Sequence, residues 1–360
     1  MSNSKTINIV IFGIGNIGST LIKQINSAKV QLQQQQKLNI RIPIITNSRI
    51  AFFYKEGISD TWESDFERFS VPYKIQDIIK YVKEQKYENL IAIDATASQE
   101  FVKDYTLLIE NDFHIVSANK VANTLRYDFY KQLRTTLKKY NKQFLYETNV
   151  GAGLPIIATV KRLYDSGERI EKIRGVFSES LSYIFNEFSS VDVLFSKVIN
   201  NASRLGLTEP DAREDLSGKD VARKLLILAR EIGINKELNQ VSVESLVPKN
   251  LNGNTTCHQF KVRSNELDIP FQTKKQNLLD NEVLRYVAEL DVSSNTLEVK
   301  LVTKDKNSAL GQLKGSDSLF EIFSESYKDS PLIIKGAGAG KAVTARGVFS
   351  DILKLSSSLN

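Results

Sequence analysis

The sequence predicts an α/β protein in which a Rossmann-type, doubly wound parallel sheet is joined to an α+β domain with a mixed sheet. Residues 6–12, TINIVIF, form a continuous apolar run that is typical of a buried parallel strand. Strand and helix patterns then alternate as far as about residue 147, which indicates βαβ units. Residues 283–291 and 296–303 instead read as a β-hairpin, and strands near 318–325 and 331–335 complete the second, mixed sheet.

Length and composition limit the function classes. The chain has 360 residues, 41% of them hydrophobic and 25% charged, which suggests two globular domains. Its net charge of +6 is spread out, so a phosphate-bearing small molecule is favoured over nucleic acid as a partner. One cysteine excludes an intramolecular disulfide, and the apolar N-terminal run is too short for a signal peptide or a membrane span. We therefore expect a cytoplasmic protein with no membrane partner.

A dinucleotide-binding fingerprint follows the first strand. Its spacing is GxGxxG, and a helical pattern comes directly after it. The first glycine permits the tight turn, the second lets the backbone approach a pyrophosphate, and the third lets helix and strand pack closely. The predicted pyrophosphate-binding residues are Gly13, Ile14, Gly15, Asn16, Ile17 and Gly18.

The end of the second strand bears on the choice of cofactor. An NAD site usually has an acidic residue there, but strand Ile40–Thr46 is followed by Asn47, Ser48 and Arg49. Arg49 is suited to a 2′-phosphate, so NADP(H) is predicted, with NAD(H) as a second cofactor; the other interpretation is that Arg49 faces solvent. The preceding glutamine-rich residues 28–39 are interpreted as a helix end and an inserted surface loop.

Later strand ends supply further candidate cofactor contacts, because loops at the carboxyl ends of parallel strands face the ligand. Strand Asn89–Asp94 leads to Thr96 and Ser98, and strand 113–117 leads to Lys120. Between and after these strands the pattern predicts helices at about 74–86, 100–111 and 126–140. His114 lies inside a strand and is interpreted as a core residue.

The stretch Gly206–Lys224 is the most densely charged part of the chain, with five carboxylates and four cationic side chains in nineteen residues. Ser217 and Asp220 fit a capping box. Asp220 and Lys224 are spaced i,i+4, beside the apolar stripe that begins at Val221. The stretch is either an exposed helix start or a substrate pocket, and spacing alone favours the first.

The segment from Glu147 to Pro155 ends one strand and starts a helix. Its two glycines and the nearby glutamate are consistent with carbonyl groups turned toward a monovalent cation. Spacing alone favours an ordinary strand-to-helix turn, with Pro155 in the first helical turn.

Four segments together resemble homoserine dehydrogenases: ETNVGAGLP, GVFSESLSYIFNEF, GLTEPDAREDLSGKDVARKLLILARE and GAGAGKAVTARGVFSDIL. With FGIGNIG and Asn119-Lys120, they occur in that family's order and cover essentially the whole chain. The resemblance is strongest to the dehydrogenase module that is also found fused behind aspartate kinases. Neither a kinase nor a regulatory domain is evident, so a monofunctional enzyme is expected.

The resemblance implies a domain organisation, an activity and an assembly. Residues 1–150, completed by 336–360, are expected to bind NADP(H), and residues 151–335 to bind substrate and form a homodimer. The implied reaction is the interconversion of L-aspartate 4-semialdehyde and L-homoserine in threonine, methionine and isoleucine biosynthesis. Hydride transfer accompanies proton exchange with a lysine.

The resemblance also assigns roles by position. Thr96, Lys120, Gly206 and Gly340 match cofactor positions, and Glu209 and Asp220 match substrate positions. Lys224 matches the acid–base lysine, with Lys120 as a second candidate catalytic group and Asp215 as a further carboxylate for the substrate ammonium. The implied sodium site comprises Glu147, Val150, Ala152 and Leu154.

Two positions depart from the family pattern. Glu179 replaces a glycine, which brings a carboxylate to the expected floor of the site or tilts the loop, and Val121 replaces the second of two lysines. Two alternatives therefore stay open: a reductase for another amino-acid aldehyde, and an NADP(H)-binding sensor without catalysis.

Overall fold

The computed structural model describes residues 4–253 and 255–359, which divide into two compact units. The first unit comprises the described residues of Met1–Gly153 and Ala339–Asn360, and the second is Leu154–Gly338. The two boundaries lie three residues beyond those expected at 150 and 335.

The sheet of the first unit is mostly parallel. Its described strands are β1 (Lys5–Phe12), β2 (Leu38–Thr46), β3 (Ile50–Phe53), β4 (Val71–Pro72), β5 (Leu90–Asp94), β6 (His114–Ser117) and β7 (Phe144–Leu145). They are ordered β4-β3-β2-β1-β5-β6-β7, and the pairs from β2 to β7 are parallel. Strands β3 and β4 add an antiparallel edge. The predicted Rossmann-type sheet is confirmed, but its antiparallel edge was not predicted.

Helices cover both faces of this sheet. They are α1 (Asn16–Gln36), α2 (Trp62–Phe69), α3 (Ile75–Glu84), α4 (Gln99–Val102), α5 (Tyr105–Glu110), α6 (Val121–Thr124), α7 (Tyr127–Lys139) and the C-terminal α15 (Lys341–Ser358). Alternate β1 residues point to opposite faces. Ile9 and Ile11 pack with α1 and α15, whereas Val10 and Phe12 pack with α3, α5 and α7. Each face thus has its own apolar core.

Two local predictions in this unit were wrong. The glutamine-rich stretch continues α1 to Gln36, because glutamine, lysine and alanine all favour helix and no glycine or proline interrupts them. The helix expected at 100–111 is two short helices, α4 and α5. Trp62, which lies among polar residues in the sequence, is buried at the start of α2, with Phe66 one turn later in the same core.

The second unit has a mixed sheet. Its described strands are β8 (Ile170–Val176), β9 (Ser242–Val243), β10 (Glu282–Asp291), β11 (Thr296–Asp305), β12 (Ser318–Ser324) and β13 (Leu332–Gly336). Their order is β13-β12-β8-β10-β11-β9, antiparallel except between β11 and β9. The predicted hairpin is confirmed as β10 and β11.

The helices of the second unit carry the candidate site. They are α8 (Ile156–Asp165), α9 (Glu179–Ser190), α10 (Phe195–Arg204), α11 (Arg213–Leu216), α12 (Lys219–Glu231), α13 (Cys257–Arg263) and α14 (Asp268–Gln276). Among the described residues, 3-10 segments lie at Leu238–Gln240, Lys249–Leu251 and Ser264–Leu267 in this unit and at Glu147–Asn149 in the first unit. Both α9 and α12 pack on β10, which fixes the starts of these two helices relative to one sheet.

Among residues 4–253 and 255–359, we find no helix that combines the length and the apolar character needed to cross a membrane.

Candidate active site

The turn between β1 and α1 has room for a ligand only at its middle glycine. Gly13 has φ of +95°, and a Cβ there would lie 2.8 Å from Thr96 Cγ2. A Cβ on Gly18 would lie 1.9 Å from the Gly13 carbonyl oxygen, whereas one on Gly15 would meet no atom within 4 Å. Gly15 is also the N-cap of α1 and makes no side-chain cap there, so the first N–H groups of the helix face this open space. The turn therefore fits a pyrophosphate group.

Asp94 organises the carboxyl ends of β5 and β6. Its carboxylate is buried and accepts hydrogen bonds from the Thr96 amide at 2.8 Å, Thr96 Oγ1 at 2.7 Å, Tyr105 Oη at 2.6 Å and Asn119 Nδ2 at 3.0 Å. Burial raises the pKa of Asp94, and these hydrogen bonds oppose the rise. The loops that follow the two strands are thus tied to one carboxylate.

The predicted contacts Thr96, Ser98 and Lys120 lie on these two tied loops. Ser98 Oγ caps α4 by accepting the Phe101 amide at 3.1 Å, and the Ser98 carbonyl accepts Asn119 Nδ2 at 3.0 Å. Lys120 follows Asn119 directly and is the N-cap of α6. Sequence reasoning missed the supporting residues Asp94, Tyr105 and Asn119. The sequence signal for Asp94 is an acidic residue at the end of an otherwise apolar strand.

Arg49 lies at the carboxyl end of β2, in a tight turn. Asn47 Oδ1 accepts the amides of Arg49 and Ile50, each at 2.9 Å. Arg49 is exposed, and among the residues that the structure describes no carboxylate forms an ion pair with it. The turn thus presents a guanidinium group to solvent at the edge where a ribose phosphate is expected.

A charged cleft of about 620 Å³ lies in the second unit. It brings together the three predicted substrate residues Glu209, Asp215 and Asp220. The other lining residues are Asp211, Arg213, Glu214, Ser217, Lys219, Arg223, Asn252, Gly253 and Thr255. Gly206, with φ of +71°, precedes Glu209 and is not among the lining residues.

Asp215 connects three parts of the cleft wall. Its carboxylate accepts Ser180 Oγ at 2.7 Å, from α9, and the amide of Glu209 at 2.8 Å. Burial is the largest cause that raises the pKa of Asp215, and the charge of Asp220 adds to it. Because both carboxylate oxygens already accept hydrogen bonds, Asp215 fixes the position of Glu209 and of the start of α9.

Lys224 is not among the residues that line the cleft, but it contacts Asp220, which is one of them. Its Nζ donates to the Phe177 carbonyl oxygen at 2.8 Å and contacts Asp220 Oδ2 at 3.0 Å. The Lys224 side chain is only 12% exposed, against 47% for Asp220. The i,i+4 pair predicted from spacing is confirmed, but its lysine is largely buried, which argues against an exposed helix start.

The predicted capping box at Ser217 was wrong. The N-cap of α12 is Gly218, with φ of +71° and no side-chain cap. A Cβ on Gly218 would lie 2.1 Å from Tyr286 Oη, so only glycine fits above the sheet here. The Ser217 hydroxyl accepts the Lys219 amide at 3.3 Å instead.

Glu179, the departure from the family pattern, is the first residue of α9. Ser178 caps this helix by accepting the Leu181 amide at 3.3 Å. Ser316 and Lys224 are neighbours that interact favourably with the Glu179 carboxylate. Burial raises its pKa, and these two contacts oppose the rise.

The turn that follows β7 has two consecutive residues with positive φ, Gly151 at +74° and Ala152 at +51°. Before it, the Glu147 amide donates to Asp351 Oδ2 at 2.9 Å, which fixes the turn on α15. Burial raises the pKa of Asp351 to about 6. Gly340, with φ of +107°, is the N-cap of α15.

His114 lies apart from these groups of residues, whereas Cys257 contacts the segment that carries the cleft residues Glu209 and Asp211. His114 is buried, its Nδ1 accepts the Gln143 amide at 3.0 Å, and burial lowers its pKa to about 4. This confirms the interpretation as a core residue. Cys257 Sγ contacts the Pro210 carbonyl, and His258 is exposed.

Comparison with known protein families matches most of the chain. Residues 155–353 match the family model described as homoserine dehydrogenase, and residues 13–147 match the model described as homoserine dehydrogenase, NAD binding domain. A bifunctional aspartokinase/homoserine dehydrogenase from Buchnera aphidicola is 39% identical over 98% of this chain. One from Zea mays is 38% identical over 98% of this chain. The chain spans 43% and 39% of these two relatives' own lengths.

Solved structures share the fold. A crystal structure of a protein of unknown function from Candida auris is 33% identical, covers 99% of both chains and has a TM-score of 0.90. A hyperthermophilic archaeal homoserine dehydrogenase in complex with NADPH is 22% identical, covers 99% of both chains and has a TM-score of 0.73.

Proposed function

This chain belongs to the homoserine dehydrogenase family, and from that premise we propose that it catalyses the NADP(H)-dependent interconversion of L-aspartate 4-semialdehyde and L-homoserine. One observation carries the proposal: Lys224, mostly buried, is held by Asp220 and a backbone carbonyl at the margin of a cleft lined with carboxylates. The family and this geometry together favour a dehydrogenase of an amino-acid alcohol.

The cofactor residues are assigned from the first unit. The turn from Gly13 to Gly18 holds the pyrophosphate, and Thr96, Ser98 and Lys120 contact the cofactor from loops tied to Asp94. Arg49 pairs with the 2′-phosphate, which favours NADP(H), with NAD(H) as the weaker cofactor. Gly206 and Gly340 are further cofactor positions. When bound, the cofactor supplies the hydride acceptor or donor.

The substrate residues are assigned from the second unit. Homoserine carries an ammonium group, and the carboxylates of Glu209 and Asp220 bind it, with Asp215 fixing Glu209 in place. In the oxidation direction, Lys224 Nζ accepts the hydroxyl proton as the hydride leaves the carbinol carbon. In reduction, Lys224 returns the proton to the aldehyde oxygen, and Lys120 is the second catalytic candidate.

A sodium ion is assigned to the turn at 147–154. The residues described by the structure contain no group of three or more His, Cys, Asp or Glu side chains that could hold a metal ion. The family resemblance implies that the ligands are Glu147 together with the carbonyl groups of Val150, Ala152 and Leu154. The two consecutive residues with positive φ, Gly151 and Ala152, support this by redirecting successive carbonyls.

The proposal also includes a homodimer that forms through the mixed sheet of the second unit. Arg174 on β8 is paired with Glu321 on β12, and Ile333 on β13 lies opposite Glu321 in register and is 45% exposed. Light scattering should give twice the chain mass, and Ile333→Glu should shift it toward the monomer. The proposal includes a cytoplasmic location and a place in threonine, methionine and isoleucine biosynthesis.

A spectrophotometric assay with L-homoserine and NADP+ tests the proposal. Homoserine-dependent formation of NADPH is expected. Turnover only with a different amino-acid alcohol would favour a reductase of another aldehyde. Tight NADPH binding with no turnover of any amino-acid alcohol would favour a sensor.

A further inference from the structure

The buried side chain of Asn149 joins both ends of the segment 117–123, which carries Lys120. Its Nδ2 donates to the Ser117 carbonyl oxygen at 3.0 Å, and its Oδ1 accepts a hydrogen bond from Asn123 Nδ2 at 2.9 Å. Ser117 ends β6 and Asn123 lies in α6, whereas Asn149 comes from the 3-10 segment after β7. A single amide group from elsewhere in the first unit thus connects the start of the segment to its end.

The direction of these hydrogen bonds is determined by the groups at the two ends of the series. Arg134 on α7 donates through Nη2 to Asn123 Oδ1 at 2.7 Å and to Tyr146 Oη at 2.8 Å. A guanidinium group can only donate, so the Asn123 oxygen faces it and the Asn123 NH2 group faces Asn149. The Ser117 carbonyl can only accept, so the NH2 group of Asn149 faces it. Each of the two amides therefore has one orientation that satisfies all of these contacts.

Lys120 lies between two asparagines that are tied to other parts of the unit. Asn119, directly before it, donates through Nδ2 to Asp94 Oδ2 and to the Ser98 carbonyl, each at 3.0 Å. The backbone amide of Asn123, three residues after Lys120, donates to the Lys120 carbonyl oxygen at 3.1 Å. A shift of Asn123 would therefore carry the Lys120 backbone with it.

The order of the strands indicates which half of the cofactor this segment faces. In the proposed assignment, Arg49 after β2 pairs with the 2′-phosphate, and the glycine turn after β1 holds the pyrophosphate. Strands β5 and β6 lie on the other side of β1 from β2, so the nicotinamide half extends over their carboxyl ends. The segment 117–123 begins at the end of β6 and therefore lies on the nicotinamide side, away from the adenosine half.

We propose that Asn149 is a positioning residue that holds Lys120 in place for the nicotinamide half of the cofactor. The inference rests on the proposed function in one respect, the assignment of Lys120 as a cofactor contact. Removal of the Asn149 amide takes away two buried hydrogen bonds and leaves the Ser117 carbonyl and the Asn123 NH2 group without these partners. The segment then has to be ordered when the cofactor binds, which lowers affinity for the part of the ligand that it contacts.

Calorimetric titration with two ligands tests this inference. NADPH spans both halves of the site, whereas adenosine 2′,5′-bisphosphate carries the adenosine and its 2′-phosphate without the nicotinamide. Asn149→Ala should weaken NADPH binding at least about five-fold and change binding of the bisphosphate by less than about two-fold. Asn123→Ala removes the other end of the same contact without altering the turn at 147–154, so it should reproduce this pattern. The double variant should bind NADPH about as weakly as the weaker single variant, because both substitutions remove one shared contact.

Asn8→Ala is the matched control. Asn8 is also a buried asparagine of the first unit, and its Nδ2 donates to the Glu88 carbonyl before β5, at the opposite end of that strand from Asp94. Both ligands should bind this variant normally. Equal losses for the two ligands in Asn149→Ala, or normal NADPH binding by either folded variant of the Asn149–Asn123 pair, overturn the inference. Should Asn149→Ala not fold, the same comparison with Asn123→Ala decides it.

Hydrogen exchange of the free protein gives a readout that needs no ligand. Amide hydrogens of the segment 117–123 should exchange faster in Asn149→Ala and Asn123→Ala than in the unsubstituted protein, and at the unsubstituted rate in Asn8→Ala. Unchanged exchange in the first two variants contradicts the claim that Asn149 holds this segment. If the unsubstituted protein binds NADPH but does not oxidise homoserine, the proposed reaction fails, and the binding and exchange data still decide the role of Asn149.

Discussion

Lys224 shows how a single residue combines contacts that are near and far in sequence. Its partner Asp220 is four residues away, so spacing alone predicted their ion pair. Its second partner, the carbonyl group of Phe177, lies just before α9. This contact therefore depends on how α9 and α12 pack on the sheet. No local pattern encodes that contact, which is why spacing alone favours an exposed helix start.

Arg49 provides a residue-level prediction about cofactor choice. Arg49→Ala should weaken NADPH binding about ten-fold or more, the scale of a hydrogen bond to a charged group. NADH binding should change by less than about two-fold, since NADH has no 2′-phosphate for a charge-assisted contact. Calorimetric titration of both cofactors measures this, with Arg68→Ala, exposed on α2, as the control. Equal losses for both cofactors would argue against a role in 2′-phosphate recognition.

His114 provides a prediction about pH and stability. Burial holds its pKa at about 4 in the folded state, against 6.5 when it is free. The unfolded chain therefore binds a proton first as the pH falls, and the free energy of unfolding should decrease between pH 6.5 and about 4. The His114 contribution is at most about 3 kcal/mol over this range.

Denaturant unfolding of His114→Asn over this pH range checks the prediction. The acid-induced decrease in the free energy of unfolding should be smaller in this variant. His258→Asn should behave like the unsubstituted protein, because His258 is exposed. If His114→Asn retains the full pH dependence, other groups cause the acid sensitivity.

At the scale of elements, the sequence predicted those parts whose periodicity is strong. Strand β1, the glycine turn and the hairpin of β10 and β11 were predicted because apolar runs and glycine spacing are local signals. Strands β3, β4 and β9 have two to four residues each, too few to show a period. The full length of α1 differs from the prediction because a glutamine-rich run is typical of loops, although glutamine itself favours helix.

The glycine turn gives a prediction at this scale. Gly18→Ala should lower the free energy of unfolding by about 1–3 kcal/mol, because the new methyl group overlaps the Gly13 carbonyl oxygen. Gly15→Ala should leave stability nearly unchanged, since its φ of −69° suits alanine and its Cβ direction is open. It should instead weaken NADP(H) binding at least about ten-fold, by filling the space next to the pyrophosphate.

Denaturant unfolding and calorimetric titration together separate these two effects. A Gly15→Ala protein that binds NADPH normally would mean that the pyrophosphate lies elsewhere. A Gly18→Ala protein of normal stability would mean that the helix can shift to accept the methyl group.

For the whole molecule, the fold class could be predicted because both units repeat simple patterns of strand and helix. The assembly of the cleft could not be predicted from such patterns. Glu209, Asp215 and Ser180 meet through hydrogen bonds that span up to 35 residues of sequence. The family resemblance indicates Glu209 among these residues, and Glu179 is where that resemblance gives no guidance.

The most direct test of the central claim is the initial rate of homoserine-dependent NADPH formation by the unsubstituted protein and by Lys224→Ala, with Lys197→Ala on α10 as the control. Removal of the proton acceptor should cut turnover by at least about two orders of magnitude. NADPH affinity should be unchanged, and Lys197→Ala should retain full activity. Near-normal turnover in Lys224→Ala would contradict the assignment of Lys224 as the group that exchanges the proton.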